Sequence, residues 1–226
     1  MVRDALVIET REPVDFSVIW LHGLGADGHD FEPIIPELNL PPTASIRFVF
    51  PHAPVRPVTI NGGMRMRAWY DVVGFSPEDD QDSEGMLDSA SRIREIIAQE
   101  QAQGIKAGRI LLAGFSQGGA IALLCGMQFP EPLAGILALS TYMPLMGHPQ
   151  LRIHSAQKKT PVLMMHGEYD PVISPAYARN SYHYLLDLGL NVQWRQYPME
   201  HSVCHAQMQD IGRWIANILK NNPEEN

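Results

Sequence analysis

The sequence has few of the features that mark secreted, membrane-spanning or nucleic-acid-binding proteins. Its only cysteines, Cys125 and Cys204, are too few for a disulfide framework and are interpreted as small hydrophobes. No apolar run reaches the roughly 18 residues that a membrane-spanning helix needs. Lys and Arg number 17 against 25 Asp and Glu, and no basic stripe offsets the net charge of −8. We therefore expect no membrane span and no nucleic-acid partner.

The first residues lack the uninterrupted apolar core of a secretory signal, because charges recur at Glu9, Arg11 and Glu12. We therefore expect a cytoplasmic protein. Hydrophobic residues make up 45% and charged residues 19% of the 226 residues, which is an ordinary globular balance. A chain of this length can form one hydrophobic core, so we predict a single domain over residues 1–226.

Short apolar runs alternate with amphipathic stretches along the chain. Apolar residues spaced three and four apart predict a helix from the capping candidate Ser83 to near Gly104, and another over 211–218. Several of the apolar runs are continuous, as is typical of parallel strands covered on both faces. The alternation predicts an α/β fold with a mainly parallel central sheet and helices on both faces. The predicted strands are 16–21, 46–50, 109–113, 135–139, 162–165 and 192–197.

Residues 53–82 do not fit this alternation, because they are rich in proline, glycine and polar side chains. Connections this long are uncommon in compact domains and are often functional. The alternative is a surface excursion that Trp69 and Tyr70 anchor to the core. The residues alone leave both interpretations open.

The strongest chemical signal is the G-x-S-x-G motif centred on Ser116. It follows the predicted strand 109–113 and precedes the apolar helical stretch 120–127, which is the context that the motif requires. A sharp strand-to-helix turn holds such a serine in a strained conformation above the sheet, and the glycines at 114 and 118 avoid clashes. We predict Ser116 as the nucleophile of a serine hydrolase.

A serine nucleophile needs a base and an acid that orients the base, and in this fold they follow it as Asp or Glu and then His. Asp170 lies beyond the strand 162–165, where catalytic groups gather in open parallel sheets. Glu168 is the competing acid, nearer the strand. After the last predicted strand, His201 is the best-placed base and His205 is its rival.

The two histidines could instead suggest a metal, because they are four residues apart. The stretch His201–His205 lacks the glutamate of H-E-x-x-H, and no third ligand cluster is evident, so we predict no metal site.

The glycine-rich stretch 21–28 follows the first strong strand, where this fold places one backbone donor of its oxyanion hole. The backbone N–H groups of Leu24 and Gln117 are the candidates. The alternatives are an ordinary tight turn or a phosphate cradle, although the spacing matches neither a dinucleotide fingerprint nor a P-loop.

Together these motifs resemble the phospholipase/carboxylesterase family of α/β-hydrolases, which includes the acyl-protein thioesterases. The resemblance covers nearly the whole chain and implies Ser116, Asp170 and His201 as the catalytic triad. It also implies Leu24 and Gln117 as the oxyanion hole. The motifs that carry it are 21–28, 61–64, 67–71, 114–119, 170–171 and 201–204.

The resemblance further implies that segment 53–82 borders an acyl pocket. Trp69, Met64 and Met66 are then candidate substrate-binding residues, because methionine adapts to varied acyl chains. Each methionine suits an irregular core equally well. Members of the family need no cofactor and often form homodimers.

We expect a serine carboxylesterase that hydrolyses short-to-medium acyl esters through an acyl-enzyme intermediate. The alternative within hydrolases is an acyl-protein thioesterase or a lysophospholipase. A non-catalytic binding protein on the same scaffold is disfavoured, because serine, acid, base and both oxyanion positions are present.

Two positions depart from the family pattern. Glu200 stands where relatives usually carry glycine, and His205 stands where they tend to have proline. If that glycine position needs a positive φ, Glu200 is strained. A carboxylate beside His201 would also favour the imidazolium and move the acid limb of the activity profile upward.

Overall fold

The structure, a computed structural model, describes residues 4–76 and 78–221. Within these ranges the chain forms nine strands and four α-helices, with several short 3-10 turns between them. The strands are Ala5–Glu9 (β1), Phe16–Leu21 (β2), Ile46–Pro51 (β3), Val55–Val58 (β4), Met64–Arg67 (β5), Ile110–Phe115 (β6), Gly135–Leu139 (β7), Val162–Gly167 (β8) and Val192–Tyr197 (β9). The helices are Ser83–Ala102 (α1), Gln117–Gln128 (α2), Pro175–Asp187 (α3) and His205–Asn221 (α4).

Seven strands form the central sheet in the order β1-β3-β2-β6-β7-β8-β9. Every neighbouring pair is parallel except β1 with β3. All six predicted strands lie in this sheet. The edge strand β1 is not among the predicted strands, although residues 5–8 are apolar, and its side chains are exposed or half-buried.

Strand β2 illustrates how the core divides between the two faces of the sheet. All of its residues are buried, but Ile19 and Leu21 pack with α1 and α2, whereas Val18 and Trp20 pack with α4. Burial on both faces explains the continuously apolar strands. Helices on both faces of a mainly parallel sheet confirm the predicted α/β-hydrolase fold.

Helix α1 begins one residue earlier than a Ser83 cap would require. Asp82 is the N-cap residue, and its Oδ1 accepts the N–H of Gly85 at 2.9 Å, while Ser83 is the first helical residue. Both residue types cap helices, so composition alone does not choose between them. The second oxygen of Asp82 accepts the N–H of Asp71 at 2.9 Å, which ties the helix start to segment 53–82.

Segment 53–82 contains secondary structure that the sequence does not predict. Strands β4 and β5 form an antiparallel hairpin that is separate from the central sheet. Gly62 and Gly63 close its turn with φ of 65° and 79°. Pro57 lies within β4, and a proline inside a short polar run obscures a strand pattern.

Among the described helices, none is both long and apolar enough to cross a membrane.

Candidate active site

The turn around Ser116 joins β6 to α2 and holds the serine in a strained conformation. Ser116 has φ 53° and ψ −121°, which a residue with a side chain rarely adopts. A Cβ added at Gly114 would meet the backbone of Gly118, and one added at Gly118 would meet the carbonyl of His22. Thr141 supports the turn by donating its hydroxyl to Ser116 O at 2.7 Å. The packing therefore explains both glycines of the motif.

His201 bridges Ser116 and Asp170 at the carboxyl end of the sheet. Its Nε2 lies 2.9 Å from Ser116 Oγ, and its Nδ1 lies 2.8 Å from Asp170 Oδ2. A carboxylate only accepts hydrogen bonds, so Nδ1 carries the hydrogen and Nε2 is free to accept the proton of the serine. The three predicted residues thus meet in an arrangement suited to nucleophilic catalysis.

The carboxylate of Asp170 is almost fully buried and is held by backbone donors. Its Oδ1 accepts the N–H groups of Val172 and Ile173, each at 2.9 Å. Burial alone raises the pKa of Asp170, but the hydrogen bonds from His201, Ile173 and Val172 outweigh burial and hold the pKa below 3.8. Asp170 is therefore ionised at neutral pH.

The rival acid and base lie elsewhere. Glu168 is exposed, and its backbone N–H donates to Tyr197 O at 2.8 Å. His205 is also exposed, and its Nδ1 lies 3.0 Å from a carboxylate oxygen of Glu37. Within the described ranges no group of three or more His, Cys, Asp or Glu is arranged to hold a metal ion.

The two backbone N–H groups predicted for the oxyanion hole belong to chain segments that pack directly against each other. Gly118 of α2 lies against the carbonyls of Leu21 and His22, which begin the loop that contains Leu24. Among the described residues neither Leu24 N–H nor Gln117 N–H has a hydrogen-bond acceptor. Within the described chain no acceptor therefore competes for these two N–H groups, and their role as an oxyanion hole stays a prediction.

His22 braces this loop as a neutral imidazole. Its Nδ1 donates to Gly23 O at 2.7 Å, and its Nε2 accepts the N–H of Ala53 at 3.0 Å. Burial is the main cause that lowers the pKa of His22 below 6.5, which preserves the acceptor nitrogen. Gly25 N–H also donates to Arg67 O at 2.9 Å, so the loop is tied to the hairpin.

Trp69 is buried and anchors segment 53–82 to the turn at Ser116, and its role in substrate binding stays a prediction. Its side chain is 1% exposed, and its indole N–H donates to His22 O at 2.9 Å. Its backbone N–H donates to the side chain of Gln117 at 2.8 Å, and Ser89 donates to its carbonyl. The amide of Gln117 also donates to Tyr70 O at 2.7 Å. Trp69 is thus the centre of the contact between segment 53–82 and the serine turn.

The two candidate methionines occupy different positions on the hairpin. Met64 is 65% exposed at the start of β5, next to the turn. Met66 is half-buried, and its sulfur lies 3.7 Å from where a Cβ on Gly25 would be. Met66 therefore borders the loop that carries Leu24, whereas Met64 faces solvent.

Glu200 does not have a positive φ, so the condition under which it would be strained is not met. In the described chain, the non-glycine residues with positive φ are Asp4, Asn39, Ser116, Ser140 and Leu145. The side chain of Glu200 is exposed and forms no ion pair with any described residue, His201 included.

Gly167 is the glycine that this part of the site requires, and the sequence motifs do not identify it. A Cβ at Gly167 would come closer than 3.0 Å to the carbonyl oxygens of both Met199 and Glu200. The end of β8 therefore packs directly against the backbone that leads into His201. The only sequence signal is a glycine at the end of a predicted strand.

The fold and the site define a serine hydrolase of the α/β-hydrolase class. The chain belongs to the phospholipase/carboxylesterase family, whose model matches residues 2–219. It is 35% identical to acyl-protein thioesterase 1 of Cryptococcus neoformans, over 95% of this chain and 97% of that protein. It is 34% identical to acyl-protein thioesterase 1 of Mycosarcoma maydis, over 96% and 98%.

Comparison with solved structures also finds an acyl-protein thioesterase and a related protein. Arabidopsis thaliana SOBER1 has a TM-score of 0.86 at 30% identity, covering 91% of this chain and 100% of that one. Zea mays acyl-protein thioesterase 2 has a TM-score of 0.84 at 27% identity, covering 95% and 98%. These relatives favour the thioesterase alternative over the carboxylesterase that the sequence motifs place first. The class of enzyme, a hydrolase of acyl esters or thioesters, is the same in both cases.

Proposed function

We propose that the protein is an acyl-protein thioesterase that releases fatty acyl groups from cysteine side chains. The observation that carries the proposal is the hydrogen-bonded series Ser116–His201–Asp170 in a chain that matches acyl-protein thioesterases over nearly its full length. A thioester is a suitable substrate because its leaving group is a thiolate, whose conjugate acid has a pKa of about 8.5 and which departs more readily than an alkoxide.

In the acylation step, Ser116 Oγ attacks the thioester carbonyl carbon while His201 Nε2 takes the hydroxyl proton. The tetrahedral intermediate then collapses, the carbon–sulfur bond breaks, and the proton on His201 passes to the departing sulfur. Asp170 keeps Nδ1 protonated and stabilises the imidazolium that forms. The product is an acyl ester on Ser116.

In the deacylation step, water attacks the ester carbonyl and His201 takes its proton. Collapse of the second intermediate returns the proton to Ser116 Oγ and releases the fatty acid. The same residues therefore serve both halves of the reaction.

The oxyanion of each intermediate is assigned to the N–H groups of Leu24 and Gln117. Loss of one such donor typically costs about 3–4 kcal/mol of transition-state stabilisation. The first turn of α2 follows Ser116 directly, and its helix dipole favours negative charge at this end.

Met66 is assigned to the start of the acyl-binding surface. It is half-buried beside Gly25, close to the proposed oxyanion hole. A flexible thioether there accommodates chains of different length. Met64, which is largely exposed, would meet only the distal part of a long chain.

The test compares a cysteine-acylated peptide with its serine-acylated counterpart, over acyl chains from acetyl to palmitoyl. Wild type should hydrolyse the thioester series with higher kcat/KM than the oxygen esters. The Ser116→Ala variant should hydrolyse neither the thioesters nor the oxygen esters. The control is Ser155→Ala, which alters an exposed serine before β8 and should keep wild-type activity. Turnover of oxygen esters alone, with a short-chain optimum, would favour a small-molecule carboxylesterase. Activity in Ser116→Ala would contradict the proposed site.

A further inference from the structure

A second histidine, His166, lies against the carboxylate of the proposed triad. It is in β8, four residues before Asp170, and its side chain is 1% exposed. Its Nε2 lies 2.8 Å from Ile173 O and 3.3 Å from Asp170 Oδ2. A carbonyl and a carboxylate both accept hydrogen bonds, so Nε2 must carry the hydrogen.

His166 stays neutral in this position. Its Nδ1 is buried without a hydrogen-bond partner among the described residues, so a proton added there would be an uncompensated buried donor. Burial is the main cause that lowers its pKa below 6.5, and it outweighs the carbonyl of Ile173 and the charge of Asp170. The ring stacks on Trp194, with centroids 5.9 Å apart.

The contacts of Asp170 show what His166 contributes. Oδ1 accepts the N–H groups of Val172 and Ile173, while Oδ2 receives His201 Nδ1 at 2.8 Å and faces His166 Nε2. Three of these groups hydrogen-bond to the carboxylate, whereas the N–H of His166 bonds to Ile173 O and lies 3.3 Å from Oδ2 as an electrostatic contact. Both imidazoles therefore lie against the same oxygen, one through a hydrogen bond and one through its N–H dipole.

We propose that His166 is a positioning residue that fixes the Asp170 carboxylate and limits the negative charge that Oδ2 offers to His201. The inference rests on the proposed function, because it assigns His201 as the base. His166 holds the turn from Asp170 to Ile173 through the Ile173 carbonyl, and its neutral N–H dipole, 3.3 Å from Oδ2, offsets part of the charge there.

Asp170 is the charged group that contacts both imidazole rings, those of His166 and His201. His201 faces Asp170, Ser116 and the ring of Phe115. His166 faces Asp170, Ile173 O and the ring of Trp194. The guanidinium of Arg179 lies over the Trp194 ring, 5.5 Å from its centroid.

The first test uses a matched pair of variants. His166→Met removes the donor with little change in length, whereas the amide nitrogen of His166→Gln can replace Nε2. The readouts are the pH profile of kcat/KM, kcat per active site titrated with a fluorophosphonate, and the melting temperature.

His166→Met should move the acid limb upward by about half a pH unit or more, because Oδ2 then offers its full charge to the imidazolium. It should also lower kcat by about tenfold, a loss common for residues that orient a catalytic ligand. His166→Gln should restore the acid limb. The proposal would be overturned if both variants kept the wild-type acid limb and the wild-type kcat per active site, even if their melting temperatures fell.

The second test uses wild type and needs no folded variant. In ¹⁵N-histidine NMR spectra, His166 should be the neutral Nε2–H tautomer between pH 6.5 and 8, because burial lowers its pKa below 6.5. An imidazolium or an Nδ1–H tautomer would overturn the proposal. This result is independent of catalysis, whereas failure of the proposed function would appear as activity in Ser116→Ala.

Discussion

Replacing Gly167 by alanine should separate His201 from Ser116 without changing any catalytic side chain. The new methyl group would be closer than 3.0 Å to the carbonyl oxygens of Met199 and Glu200, and both are backbone atoms that cannot rotate away. Restoring an ordinary carbon–oxygen separation requires a movement of about 1 Å. Either the end of β8 or the segment leading into His201 must move.

The size of the effect follows from the distance that this movement lengthens. His201 Nε2 is 2.9 Å from Ser116 Oγ, and an added displacement of about 1 Å would break that hydrogen bond. Misplacement of this size typically lowers the rate about 100-fold. Overpacking of this kind should also lower the free energy of unfolding by about 1–3 kcal/mol.

The assay is kcat on a chromogenic ester, corrected for the concentration of sites that react with a fluorophosphonate, together with urea unfolding. Gly108→Ala is the matched control, because the nearest atom to a Cβ there is Pro132 O at 3.9 Å, an ordinary contact. Gly108→Ala should retain activity. Wild-type kcat in Gly167→Ala would refute the inference that this close packing positions His201.

Four further predictions concern the support of the site. Trp69→Ala should lower the free energy of unfolding by about 3–5 kcal/mol, because Trp69 is a buried anchor. It should also reduce the turnover of acetyl and long-chain substrates equally. A loss confined to long-chain substrates would instead show that Trp69 contributes to the acyl pocket. Gln117→Leu keeps its backbone N–H but leaves Trp69 N–H and Tyr70 O without their hydrogen-bond partner. The free energy of unfolding, measured in urea, should therefore fall by about 2–4 kcal/mol. Unchanged stability would contradict this. Burial lowers the pKa values of His22 and His166, so only the unfolded chain binds these protons just below pH 6.5. Their contribution to the free energy of unfolding should be complete above pH 6.5 and should decrease as the pH falls from 6.5 towards the lowered values; urea unfolding at a series of pH values measures it, and stability that rises on acidification through this range would show the wrong sign. Glu200→Gly should leave the pH–rate profile unchanged, because this exposed carboxylate has no ion pair in the described chain; a displaced acid limb would show that it reaches the site electrostatically.

The parts of the fold that were predicted correctly are those that depend on local pattern. Strand β7 is buried on both faces, so its apolar run alone identifies it. The turn at Ser116 is equally local, because its two glycines and the flanking strand and helix lie within one short stretch. Chain order then selected Asp170 and His201, and the fold brings both to Ser116.

Other features depend on contacts between distant segments. Trp69 is buried because Gln117, His22 and Ser89 bind it, and none of these is near it in sequence. Gly167 is needed because the backbone at Glu200 packs on it. The sequence shows a tryptophan at 69 and a glycine at the end of a predicted strand, but it does not show which segments contact them. The anchoring role of Trp69 and the close backbone contact at Gly167 therefore appear only in the folded structure.

Acylation of Ser116 can be observed by mass spectrometry of the enzyme mixed rapidly with a cysteine-acylated peptide. A transient mass increase equal to the acyl group should appear, located on Ser116 by peptide mapping and absent in Ser116→Ala. An acyl group that accumulates on another residue, or thioester hydrolysis that persists in Ser116→Ala, would contradict this prediction.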